Sequence, residues 1–123
     1  MDRSTLDLDR LLPLSPAVFH ILLALAEGPR HGYAIMRDID VRTDGVVRVG
    51  PGMLYGSIKW LLADRFIAEA SASRADTASA VERRRYYQLT PSGRQLLRAE
   101  ASRLEAALDL ARARRILPRR VSR

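Results

Sequence analysis

Three prolines divide this chain, and each stands where a helix can start. Ser15-Pro16, Gly50-Pro51 and Thr90-Pro91 set a proline directly behind a residue suited to an N-cap. Proline is tolerated at the first helical position because the N–H it lacks has no intrahelical acceptor there. Ser15 and Thr90 also offer a side-chain oxygen to the open N–H groups of the first turn. Gly28-Pro29 and Pro118 are the matching stops. A chain of 123 residues punctuated in this way is committed to a few helices with short connections.

The pattern between the breaks fills in the elements. Residues 1–14 are a lead-in in which Leu6, Leu8, Leu11, Leu12 and Leu14 fit a short helix broken at Pro13. The helix after Pro16 is apolar nearly all round (Val18, Phe19, Ile21, Leu22, Leu23, Leu25), which makes it the centre of the core. A second helix follows His31-Gly32 through Tyr33, Ile35, Met36 and Ile39, and fades into a Thr43-Asp44-Gly45 turn. Val46, Val47 and Val49 are expected to form a short extended piece. In the helix after Pro51, Leu54, Ile58 and Leu61 recur at i, i+4, i+7 and make one buried stripe. Gly52, Gly56, Lys59 and Ala63 fall on the opposite face.

Residues 66–72 and 83–89 read as two strands of a hairpin, with a small, polar loop at 73–82. Period-2 alternation places Tyr87 and Leu89 towards the core and Tyr86 away from it. A long helix is expected from Pro91 to about Arg115, with Leu97, Leu104, Leu108 and Ala111 along one stripe. The fold expected is mainly α with a small β-hairpin: a winged helix-turn-helix over 15–90, a dimerisation helix over 91–117 and a basic tail over 118–123.

Charge and residue types narrow the function. The formal net charge is +7, with 21 basic residues against 14 acidic ones, an excess that fits a polyanionic partner. With no cysteine, disulfides and thiolate metal sites are excluded. No apolar run approaches the length of a bilayer span, and the charged N-terminus lacks a signal-peptide pattern. A cytoplasmic protein without a membrane partner is expected. His20 and His31 lie on different elements, Ser15, Ser57 and Ser92 have no nucleophile context, and the acids lack metal-ligand spacing. No catalytic residue, metal or cofactor is expected, and the chain is not read as an enzyme.

Two clusters carry the nucleic-acid reading. The outward face of the third helix, Gly52, Met53, Gly56, Lys59 and Trp60, suits a helix entering the major groove, and Tyr33 and Tyr55 are counted with it as DNA-binding residues. Glycines on such a face cost about 1 kcal/mol each relative to alanine, and close approach of DNA would give them a reason. Arg83, Arg84 and Arg85 at the hairpin would neutralise phosphates as a wing. The stripe Leu97, Leu104, Leu108 and Ala111 would join two copies, so that the partner DNA would be an inverted repeat. Arg112, Arg114, Arg115, Arg119 and Arg120 form a basic end read as having no nearby acid. The alternative is a winged-helix dimer that acts as a protein–protein interaction module without specific DNA binding.

Three blocks in order, His31-Gly32-Tyr33-Ala34-Ile35, Leu54-Tyr55-Gly56-Ser57-Ile58 through Leu61 and Ile67, and Arg85-Tyr86-Tyr87-Gln88-Leu89-Thr90-Pro91-Ser92-Gly93, resemble the motif blocks of PadR-like regulators. The resemblance covers roughly residues 15–97, and the short tail is similar to members with a single C-terminal helix. It implies a homodimeric winged-helix transcriptional repressor and, as in many members, a small-molecule inducer. The chain departs from the family pattern after Leu61, where Leu62 replaces a usual Glu and Arg65 a usual Gly. A left-handed backbone at Arg65 would cost about 1 kcal/mol or more. Drug-sensing relatives carry a tryptophan on the C-terminal helix; here Trp60 lies on the third helix instead.

Overall fold

The computed structural model describes residues 8–70 and 85–119. In chain order the elements are α1 (Pro16–Leu25), β1 (Arg30–His31), α2 (Gly32–Arg42), α3 (Pro51–Ala63), β2 (Ile67–Ala70), β3 (Tyr86–Leu89) and α4 (Pro91–Ala113). The three proline starts hold. The Ser15 side chain accepts from the N–H of Val18, and the Thr90 side chain accepts from Gly93.

α1 is the hub. Ile21, Leu22, Ala24 and Leu25 are buried, and the helix touches α2, α3, α4 and β3. Around it close Ile35 and Ile39 from α2, Leu54, Ile58 and Leu61 from α3, Phe66 and Ile67, Tyr87, and Leu96 and Leu97 from α4. Leu8 and Leu14 of the lead-in join the same core. A buried carboxylate pins the lead-in down. Glu100, 2% exposed, accepts from the backbone N–H of Leu14 at 3.1 Å and from Arg103 at 2.6 and 3.0 Å.

The hairpin is part of a three-stranded antiparallel sheet in the order β1-β3-β2. β3 pairs Leu89 with Ile67 and Tyr86 with Ala70 on one side, and Tyr87 with Arg30 on the other. The third strand was not foreseen. Two residues, Arg30 and His31, are too few to show a period, and only the pairing with β3 makes them a strand. Conversely, Val46, Val47 and Val49 form no strand: residues 46–47 are a bend and 48–50 have no regular structure, because none of the described strands lies beside them to pair with.

One glycine marks where two elements touch. A Cβ on Gly93 would run into the carbonyl of Phe66, lying 2.9 Å from its carbon and closer still to its oxygen. The same carbonyl accepts from the N–H of Thr90 at 3.1 Å and from its hydroxyl at 3.0 Å. The start of α4 is thereby clamped to the start of β2. Arg65 has φ +62°, a left-handed position that glycine occupies at least cost. Its carbonyl is held by Thr90 Oγ1 at 2.7 Å and Ser92 Oγ at 3.2 Å.

Two expectations about α4 need correction. Leu97 is only 8% exposed and packs into the chain's own core, because the first half of α4 lies on α1. The free part of the stripe starts at Leu104, which is half-buried, and runs through Leu108, 44% exposed, to Ala111. Arg112, read as having no acid near it, lies 3.6 Å from Asp109, one helical turn back. The helix itself ends at Ala113, with Arg115 left-handed at φ +62°.

Candidate nucleic-acid interface

α3 presents two unlike faces. Leu54, Ile58 and Leu61 are buried, while Gly52, Met53, Tyr55, Gly56 and Lys59 are exposed. A helical spacing of 100° per residue puts Gly52, Gly56 and Lys59 directly opposite the core stripe, with Met53 and Tyr55 at the two edges. A Cβ added at Gly52 or Gly56 would have nothing within 4 Å. Neither glycine is therefore a packing glycine, and both leave open space on the outward face. Lys59 has no ion pair among the described residues. Trp60 is partly turned inward, its ring tilted against Phe66 at 5.9 Å.

The Tyr55 edge faces the sheet. The Tyr55 ring lies against Gly32 at the N-terminus of α2, and with His31, Tyr33, Arg85 and Tyr87 it lines a cavity of about 200 Å³. Tyr33 is exposed, and its ring stacks near His31 at 6.5 Å. His31 caps α2 through Nδ1, which accepts from Ala34 N at 3.2 Å, and meets Tyr86 edge-on at 5.3 Å. Arg85 is exposed and pairs loosely with Glu69 across the sheet at 3.6 Å. Tyr33, Tyr55 and Arg85 are thus brought together beside α3. Arg83 and Arg84 lie outside the described residues.

Other basic side chains divide by their partners. Arg42 is held by Asp38 at 2.8 Å and by Glu27 at 3.1 Å, and the hydrogen bond and charge of Asp38 raise its pKa further. Arg30 donates to the carbonyl of Ala24 at 2.9 Å. Arg37, one turn after Tyr33, has no ion pair among the described residues and lines an open groove with Tyr33 and Val41. It was missed from sequence, although its i+4 spacing from Tyr33 was the available signal. Tyr87 was read as core. It is buried, and it also reaches the cavity.

A helix pair whose second member shows an open face, followed by strands that return beside it, defines a winged-helix protein. The model of the transcriptional regulator PadR-like family matches residues 21–99, and the chain belongs to that family, a family of regulators and not of enzymes. An uncharacterized 37.1 kDa protein in transposon TN4556 of Streptomyces fradiae is 41% identical over 81 residues. That match covers 66% of this chain and 21% of the relative, so the chain spans about a fifth of the length of that curated relative.

Among solved structures, a PadR family transcription regulator from Clostridium difficile superposes with a TM-score of 0.65 at 20% identity, covering 80% of this chain and 97% of that one. A transcriptional regulator from Clostridium thermocellum gives 0.63 at 24%, covering 78% and 89%. These two likenesses establish the fold. Bacillus subtilis PadR, solved in complex with operator DNA, gives 0.56 at 25% identity, covering 66% of this chain and 44% of that one.

Proposed function

We propose that this regulator binds double-stranded DNA as a homodimer, with α3 in the major groove and the wing on the backbone, and that it represses the transcription it controls. The observation that carries the reading is the outward face of α3. Gly52 and Gly56 leave it open at the level of the helix backbone, and Lys59 stands unpaired among the described residues at its centre. A helix with that profile can approach base edges closely, and Lys59 can donate to a guanine or a phosphate. The net charge of +7 supplies the long-range attraction.

Two-fold pairing through Leu104, Leu108 and Ala111 would present two copies of α3 about 34 Å apart, matching an inverted repeat. A small-molecule effector belongs to the same reading. A groove of about 470 Å³ lined by Ala17, Val47 and Met53 adjoins one edge of the reading face, where an apolar ligand would touch Met53.

The test is fluorescence anisotropy on a random duplex across a salt series, followed by selection of bound sites from a randomised library. DNA binding predicts a linear fall of log affinity with log salt, with a slope of about −0.9 per phosphate contacted, and selected sites that are inverted repeats. A protein-interaction module would bind the duplex weakly and select no common site.

A further inference from the structure

The cavity beside Tyr55 has a chemistry of its own. At about 200 Å³ it is too small for a drug-sized ligand. It opens at the first turn of α2, where the N–H groups of Gly32 and Tyr33 have no acceptor within the helix and the dipole favours negative charge. The His31 cap is taken by Ala34, further into the helix. Tyr87 supplies an independent observation. Its side chain is 4% exposed and lines this cavity, yet its hydroxyl has no hydrogen-bond partner among the described residues. Burial pushes its pKa up, against the pull of Arg85, so the phenol remains a neutral donor. The hydroxyl lines the cavity, so a ligand atom seated there can supply the missing partner. The Arg85 guanidinium completes the lining with a positive charge.

We propose that this cavity seats a single phosphate of the DNA backbone, held by the hydroxyls of Tyr55 and Tyr87, the Arg85 guanidinium and the first N–H groups of α2. The proposal rests on the DNA-binding reading above and adds to it a fixed point of docking. Tyr55 is on α3, Tyr87 and Arg85 are on or beside β3, and Gly32 begins α2. One phosphate would therefore set the depth of α3 in the groove and the position of the wing together. Free inorganic phosphate shares the chemistry and would compete for the seat.

Tyr87→Phe removes one oxygen and leaves the ring in place. Its affinity for a random duplex should fall about ten-fold or more, the worth of a hydrogen bond to a charged group, while its thermal melting stays level or rises. Tyr55→Phe, at an exposed position, should show the same loss without any risk to the fold. Inorganic phosphate titrated into the free wild type should shift the amide resonances of Gly32 and Tyr33, and should shift them less in Tyr87→Phe. Unchanged duplex affinity in both variants would overturn the proposal, and a phosphate response alongside that result would make the seat one for a free anion. A wild type that binds no duplex would overturn the DNA-binding reading itself, and the phosphate seat on DNA with it.

Discussion

The Tyr55 ring lies directly over the Cα of Gly32, so a Cβ at Gly32 would come within 2.8 Å of the phenol carbon and closer still to its oxygen. This contact joins α3 to the start of α2. Gly32→Ala should push Tyr55 off its seat and destabilise the fold by about 1–3 kcal/mol, the usual cost of overpacking. Tyr55→Ala in the same chain should recover most of that stability but not DNA affinity. Urea midpoints of the two single variants and the double variant test the coupling; strictly additive effects would mean that the contact carries no strain.

Glu100 links the lead-in to α4. The hydrogen bonds from Arg103 hold its carboxyl below the usual carboxylate range, opposed by burial and helped by the Leu14 N–H. A depressed native pKa stabilises above the unfolded value of about 4.3, and that stability is lost as pH falls through the native value. Glu100→Gln should be about 1–3 kcal/mol less stable at pH 7. The difference between wild type and variant should shrink as pH drops below about 4, as read by chemical denaturation across a pH series. A difference independent of pH would remove the carboxylate from the account.

Arg65 stands left-handed at φ +62°, a conformation that glycine adopts without a Cβ penalty. Arg65→Gly relieves a strain of about 1–2 kcal/mol but adds unfolded-state entropy. A net gain of about 0.5–1 kcal/mol in urea denaturation is expected. A loss would mean that the Arg65 side chain contributes more to stability than its backbone strain costs.

Much of this fold is legible from proline placement and period. The three proline starts, the Leu54, Ile58, Leu61 stripe and the inward turn of Tyr87 follow from local rules, and the structure agrees with them. The features that were not legible depend on partners distant in sequence. β1 exists only because β3 returns beside it, and Leu97 is buried because the first half of α4 happens to lie on α1. Glu100 meets Leu14 across 86 residues, and no local pattern announces such a bond. The site was half visible. Tyr33, Tyr55 and Arg85 were singled out and do converge, whereas the part played by Tyr87 needed the cavity to be seen.

The free end of α4 gives the dimer prediction. Leu104→Glu places a charge in the stripe that continues through Leu108 and Ala111 and should cost several kcal/mol of dimer stability through desolvation and like-charge repulsion. Sedimentation at micromolar concentration should show a dimeric wild type and a monomeric variant whose duplex binding is weakened. Leu97→Ala, by contrast, should lower the stability of the fold by about 2–5 kcal/mol. A monomeric wild type would end the dimer reading.

The most direct test of the account is Gly56→Leu, assayed for stability and for duplex binding at one salt concentration. Beyond its own stretch of helix, no atom of the described residues lies within 4 Å of the added Cβ, and leucine is a better helix former than glycine by roughly 0.8–1 kcal/mol. The variant should therefore unfold at a higher denaturant midpoint while its affinity for DNA collapses. Full affinity in a stably folded Gly56→Leu protein would contradict the claim that this face of α3 enters the DNA.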